Sequence, residues 1–330
     1  MAAPLVAVMI KQLGMRPANG RWRWGVPATV LCLLACPVAG AAQELDLRIA
    51  GADIAISASG DDFQVRAAAV VDWVRRSAQI VGDYYGRYPV STLLVRVKQI
   101  AGSDIGHGQA FASASPLIRV ELGRDVSTAA LRDDWVLPHE MVHLALPEVG
   151  DDHRWLAEGL ATYVEGIARV QAGNMTETDL WAEYVRAMPK GLPAAGDQGL
   201  DRTHTWGRTY WGGALFCLVA DVNIRRQTGL RRGLQDALRA VARESGGMTA
   251  VWPIERVLAV GDAATGTHAL SDLYASMRGQ PAAPDLAELW RALGVELTND
   301  GVRLREDAPD AGARKAITRR PAPEGAAAPP

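Results

Sequence analysis

His139-Glu140-Met141-Val142-His143 decides how this chain is read, because it places two imidazoles four residues apart around a carboxylate. On a helix, positions i and i+4 share one face, so both rings can reach a single ion. Glu140 lies between them, able to approach a water on that ion without ligating it. Fifteen residues past His143 stands Glu158, inside Trp155-Leu156-Ala157-Glu158-Gly159-Leu160-Ala161-Thr162-Tyr163-Val164-Glu165. Two histidines and one carboxylate, with a fourth position left for water, form the ligand set of a catalytic zinc site rather than a structural one. The plainer reading is a pair of helix-surface histidines.

The sequences HEMVH and WLAEGLATYVE together resemble the gluzincin metallopeptidases, notably the aminopeptidase N and leukotriene A4 hydrolase relatives, whose second helix carries a W-L-N-E-G-type stretch. Thr209-Tyr210-Trp211-Gly212-Gly213-Ala214-Leu215-Phe216, continuing to Ile224-Arg225-Arg226-Gln227-Thr228-Gly229, is similar to the corresponding helix of glycyl aminopeptidase-type enzymes. The resemblance covers about residues 130–245, with its three motifs in the family's order. It implies zinc held by His139, His143 and Glu158, Glu140 as general base, and Tyr210 stabilising an oxyanion. Two features depart from the pattern. The spacer between His143 and Glu158 is shorter than in aminopeptidase N relatives, which requires a tight loop at 147–152. No G-x-M-E-N or G-G-L-E-H element occurs: the corresponding region, Gly106-His107-Gly108-Gln109-Ala110-Phe111, has no acidic residue to hold a substrate's free amine. The resemblance thus supports peptidase chemistry without aminopeptidase specificity.

With 330 residues and 48% hydrophobic content, the chain has ample material for a core. A net charge of −2 with mixed signs carries no nucleic-acid footprint. Lys11, Arg16, Arg21 and Arg23 precede an apolar run from Val26 to Ala42 that closes on small residues, the pattern of a secretory signal peptide spanning 1–42. The expected location is periplasmic or secreted. Leu33-Leu34-Ala35-Cys36 offers an alternative, a lipobox whose Cys36 would become a lipid anchor on a membrane. Pro27 and Pro37 interrupt a run barely long enough to span, which speaks against an uncleaved anchor. Removal of the segment leaves only Cys217, so no disulfide framework is expected, and Cys217 between Phe216 and Leu218 reads as a core residue.

The expected fold is α+β, with a small α/β subdomain at 43–125, a mainly helical zincin-like subdomain at 126–308, and the metal cleft between them. Leu45, Leu47, Ile49, Ile54 and Ile56 alternate as in a strand or hairpin, and 63–85 repeats at helical spacing. Leu93–Ile100 and Leu117–Leu122 read as strands, and glycine-rich 102–108 as a loop. Helices are expected near 134–146, 153–172, 176–188, 207–228 and 231–244. Pro138 is tolerated only near a helix start, which sets the first of these to begin around Asp134. Residues 191–205 read as a loop walling the cleft, with His204 a candidate for touching substrate. Residues 295–305 read as a hairpin around Asn299-Asp300-Gly301. After Ala308 the chain is poor in apolar residues and is expected to be disordered.

Thr162 or Glu165 could accept a hydrogen bond from the second ring N–H of a ligating histidine. His107 and His153 lack ligand spacing, and Arg208 reads as half of a structural ion pair. The reaction class is metal-dependent hydrolysis, with a peptide or protein as substrate. Two rivals stand beside it: a non-catalytic zinc-binding envelope scaffold, and a zinc hydrolase of a non-peptide amide.

Overall fold

The alternating apolar residues at the N-terminal end form a hairpin, β1 (Gln43–Ile49) and β2 (Ala52–Ser59), turned through Ala50 and Gly51 at positive φ. The computed structural model describes residues 43–59, 63–113 and 115–320. The signal and lipobox readings at 1–42, Cys36 included, lie outside the described residues. Helix α1 (Phe63–Tyr85) then crosses to β3 (Thr92–Ile100), which pairs parallel with β2; a parallel pair requires such a crossover. Next come β4 (Ile105–Phe111) and β5 (Leu117–Gly123), and the sheet order is β1-β2-β3-β5-β4. Registers align Ile56, Val95 and Ile118 across three strands, and all three are fully buried.

The expected loop at 102–108 is therefore corrected. Gly102 does turn at positive φ, but the chain is extended again from Ile105 and pairs antiparallel with β5 through a register shift between Ile105 and Gly108. A strand with two glycines and one histidine carries little intrinsic β signal; its partner supplies what propensity does not.

Beyond the sheet the chain is helical: α2 (Thr128–Arg132), α3 (Val136–His143), α4 (Arg154–Gln171) and α5 (Glu177–Ala187). A single π-helical turn, Arg208–Gly212, runs into α6 (Gly213–Thr228). Then follow α7 (Leu234–Ser245), α8 (Ile254–Thr265), α9 (Ala269–Met277) and α10 (Leu286–Leu293). Helix α3 packs on α1, β4 and α4, and α4 packs on α6. Sheet and helices share one continuous apolar core. Among the described residues, no helix is long and apolar enough to cross a membrane.

The hairpin expected at 295–305 forms as β6 (Val295–Thr298) and β7 (Gly301–Leu304). The disorder expected after Ala308 does not extend over 309–320. Helix α11 (Ala311–Thr318) buries Ala311, Ala313, Ala316 and Ile317. Its Arg314 is wholly buried and donates to the carbonyls of Leu293 and Arg305 and to Glu306. Small alanines suffice where helix and hairpin meet closely, so the low hydrophobicity of the segment misleads. Residues 321–330 lie outside the described residues.

Candidate metal centre

Helix α3 starts where Pro138 requires. Asp134 accepts hydrogen bonds from the backbone N–H of Val136 and of Leu137, at 2.8 and 3.0 Å, and from Trp73 Nε1 at 2.8 Å. Pro138 sits within the first four positions, where an N–H would have no intrahelical acceptor. His139 and Glu140 are buried on this helix, and His143 is half-buried one turn on. Helix α4 presents Glu158 to both rings: Glu158 Oε2 lies 3.5 Å from His139 Nε2 and 3.5 Å from His143 Nε2.

The three ligand atoms all lie within 4.8 Å of one another. For bonds of about 2.0–2.1 Å, neighbouring vertices of a tetrahedron are about 3.3–3.4 Å apart, and the two His–Glu158 separations of 3.5 Å match such edges, as zinc would require. The other oxygen of Glu158 is taken by Arg154, four residues earlier, with Nη2 3.2 Å and Nε 3.3 Å away. Arg154 thereby fixes which oxygen faces the histidines. The sequence reading did not single it out, although a basic and an acidic residue at i and i+4 signal such a pair.

Burial alone would raise Glu158, but hydrogen bonding to His139 and His143 outweighs it and holds the carboxyl well below its usual range. Burial lowers His139, which favours the neutral ring a metal requires. Desolvation acts on His143 too, yet hydrogen bonding to Glu158 and the charges of Glu140 and Glu158 carry it upward.

Tyr210 lies on the π-helical turn, its ring stacked on His139 at 6.4 Å between centroids and on Trp206 at 5.8 Å. Burial and then the charge of Glu158 raise its phenol. Its position follows from the contact of α4 with α6. A β-carbon on Gly159 would stand 2.3 Å from the backbone of Gly213, and one on Gly213 would stand 2.1 Å from the carbonyl oxygen of Trp155. The two backbones touch, which brings the turn carrying Tyr210 beside Glu158.

An open cleft of about 1000 Å³ runs over these residues. One wall is β4, whose residues 105–111 all line it. Trp135 and Trp206 line it too, and both are more than half exposed. Residues 191–205 do not line the cleft, contrary to expectation, and His204 is exposed away from it. Lys190 and Trp206, which flank that loop, take its place. His153 pairs with Asp201 at 3.2 Å, and Arg208 forms the expected buried ion pair, with Asp197 at 2.8 Å. Cys217 is buried, and its thiol is pushed far up by desolvation.

Neither residue expected to support a histidine does so. Thr162 turns its hydroxyl back to the carbonyl of Glu158 at 2.7 Å, and Glu165 faces Arg169 at 3.5 Å.

No protein-family model matches this sequence, and no curated protein sequence matches it. Solved structures do resemble it. An aminopeptidase N family protein from Idiomarina loihiensis superposes at TM-score 0.59 with 14% identity, over 77% of this chain and 49% of that one. An M1 zinc metallopeptidase from Deinococcus radiodurans gives 0.48 with 15% identity, over 75% and 53%, a likeness too loose to decide anything. This chain spans about half the length of both. Over most of its described length, the chain has the fold of the aminopeptidase N family protein.

Proposed function

We propose that this protein is a zinc-dependent peptidase. The observation that carries the reading is the meeting of His139, His143 and Glu158 ligand atoms within 4.8 Å, with Glu140 buried on the same helix at the cleft. His139, His143 and Glu158 would hold the ion. Zinc with such ligands supplies Lewis acidity, which makes water a nucleophile near neutral pH. Glu140 accepts the proton that water gives up as it attacks the peptide carbonyl, and returns it to the departing amine. The Tyr210 hydroxyl donates a hydrogen bond to the oxygen on which negative charge develops. Strand β4 offers no carboxylate to the cleft, so the reading does not extend to capture of a free amine on that strand.

The signal-like 1–42 segment supports export to the periplasm or beyond, and N-terminal sequencing of exported protein separates cleavage near Ala41 from lipidation of Cys36. The activity is tested by zinc analysis together with cleavage of a peptide library by the parent and by Glu140→Gln at equal zinc content. About one zinc per chain and cleavage by the parent alone are expected. No cleavage by the zinc-loaded parent would favour a binding scaffold or a non-peptide amide as substrate.

A further inference from the structure

The cleft continues beyond the three ligands along α4. Glu165 follows Glu158 by seven residues, about 10 Å along a helix axis. It is only 5% exposed, lines the cleft, and its Oε2 has no hydrogen-bond partner. The nearest cation, Arg169, is 3.5 Å from that oxygen. The rest of the Arg169 guanidinium is engaged elsewhere: Nε donates to Asn174 Oδ1 and Nη2 to the carbonyl of Asp133.

Glu183 on α5 lines the same end of the cleft and is also influenced by Arg169. Lys190 stands at the exposed rim, its Nζ 5.8 Å from the Trp206 ring centroid. Asp134, the other nearby acid, is fully occupied in capping α3 and binding Trp73. Glu165 thus faces the Arg169 guanidinium without a well-formed hydrogen bond, whereas Glu183, exposed at the rim, feels both Arg169 and Lys190. Burial pushes Glu165 up to about 8, with the charge of Glu183 adding to the effect, and partial desolvation raises the exposed Glu183 as well. A buried carboxylate oxygen without a hydrogen bond is costly, and a cationic donor at this point would relieve it.

We infer that this end of the cleft is a subsite for a basic side chain, a lysine or arginine next to the scissile bond, whose cationic head is bound by Glu165 and Glu183. The inference rests on the peptidase reading of the site. The reach selects the side chain over the substrate's α-ammonium. An α-nitrogen is two bonds from the scissile carbonyl carbon, under about 3 Å, whereas Glu165 lies about 10 Å along α4 from Glu158. A four-carbon lysine stem covers most of that span.

Binding can be read without turnover. Zinc-loaded Glu140→Gln protein is titrated calorimetrically with Ala-Ala-Lys-Ala-Ala, with the same peptide carrying norleucine in place of lysine, and with the Nα-acetylated form of each. The lysine peptide should bind at least tenfold more tightly than the norleucine peptide, acetylated or not. Adding Glu165→Gln should shrink the gap below threefold and leave the norleucine peptide's affinity unchanged. Glu183→Gln, at a position where a folding failure is not expected, should shrink it likewise. Equal affinities for the two peptides, or a gap that survives in both variants, overturns the subsite. Affinity lost on acetylation but not on the norleucine exchange also overturns it, because the bound cation would then be the α-ammonium. If the parent cleaves neither peptide while the tenfold gap holds, the peptidase reading fails and the subsite stands. Cleavage of both with no binding gap does the reverse.

Discussion

Gly108 of β4 lies against Glu140 of α3 so closely that a β-carbon on the glycine would stand 2.7 Å from Glu140 Cγ and 3.1 Å from its Oε1. The same β-carbon would be 2.9 Å from Val136 Cγ1, so the helix leaves no room for it on either side. The backbone of the edge strand thus rests directly on the Glu140 and Val136 side chains of α3. Gly108→Ala should therefore displace Glu140 while leaving the three ligands in place. Under the proposed mechanism, kcat falls by up to roughly 10²-fold, the scale of a misplacement of about 1 Å. Zinc stoichiometry should not change. Steady-state kinetics beside metal analysis checks this, and a parent-like kcat would mean that β4 can retreat freely.

Gly213→Ala places its methyl on the carbonyl oxygen of Trp155, a backbone atom that cannot swing aside. Overpacking of this kind costs about 1–3 kcal/mol and occasionally more. Helix α6 should shift, taking Tyr210 with it, so the melting temperature and kcat fall together. Thermal unfolding and kinetics on one preparation test the link. A destabilised protein with unchanged kcat would detach Tyr210 from the proposed chemistry.

Tyr210→Phe removes one hydroxyl from a half-buried ring and opens no cavity. Loss of a single oxyanion donor lowers kcat by roughly 10²–10³-fold. KM should move little, because the donor acts on charge that exists only in the transition state. Equal losses in kcat/KM through KM alone would reassign the residue to substrate binding.

Arg154→Ala frees the Glu158 oxygen that faces away from the histidines. Partners of this kind typically contribute 10–100-fold to metal affinity. Competition with a chelator should show zinc affinity reduced within that range, whereas His139→Ala or His143→Ala should abolish stoichiometric binding. Undiminished affinity in Arg154→Ala would show that the two histidines orient Glu158 unaided.

Glu165 gives the ligand-free protein a pH signature of its own. Its folded pKa of about 8 lies above the ordinary carboxyl value, because burial disfavours the anion. The folded state then holds more protons than the unfolded state between about pH 4.3 and 8. Its contribution is fully present below the lower bound and is lost as pH rises through the upper one. Glu165→Gln cannot ionise, so its melting temperature should overtake the parent's as pH climbs from 5 to 9. A constant difference over that range would mean that Glu165 is not held protonated.

The local devices at the centre of this protein were legible in sequence because each is a matter of short spacing. A spacing of four from His139 to His143 fixes one helical face whatever surrounds it. Pro138 limits where the helix can start, and Asp134 begins it. Glu158 could be paired with those histidines only because two motifs occur in a familiar order; nothing in its own neighbourhood points fifteen residues back. What lay beyond the sequence was everything set by approach between elements. Strand β4 is a strand through its pairing with β5, and its Gly108 is explained only by Glu140 and Val136 opposite. Helix α11 is ordered because Arg314 and four small or apolar side chains find a ready surface. The charge state of Glu165 follows from its burial and from the other engagements of Arg169. Periodicity and capping act over a few residues and are written in order along the chain; desolvation and backbone contact depend on what the fold brings near, and only the tertiary structure decides that.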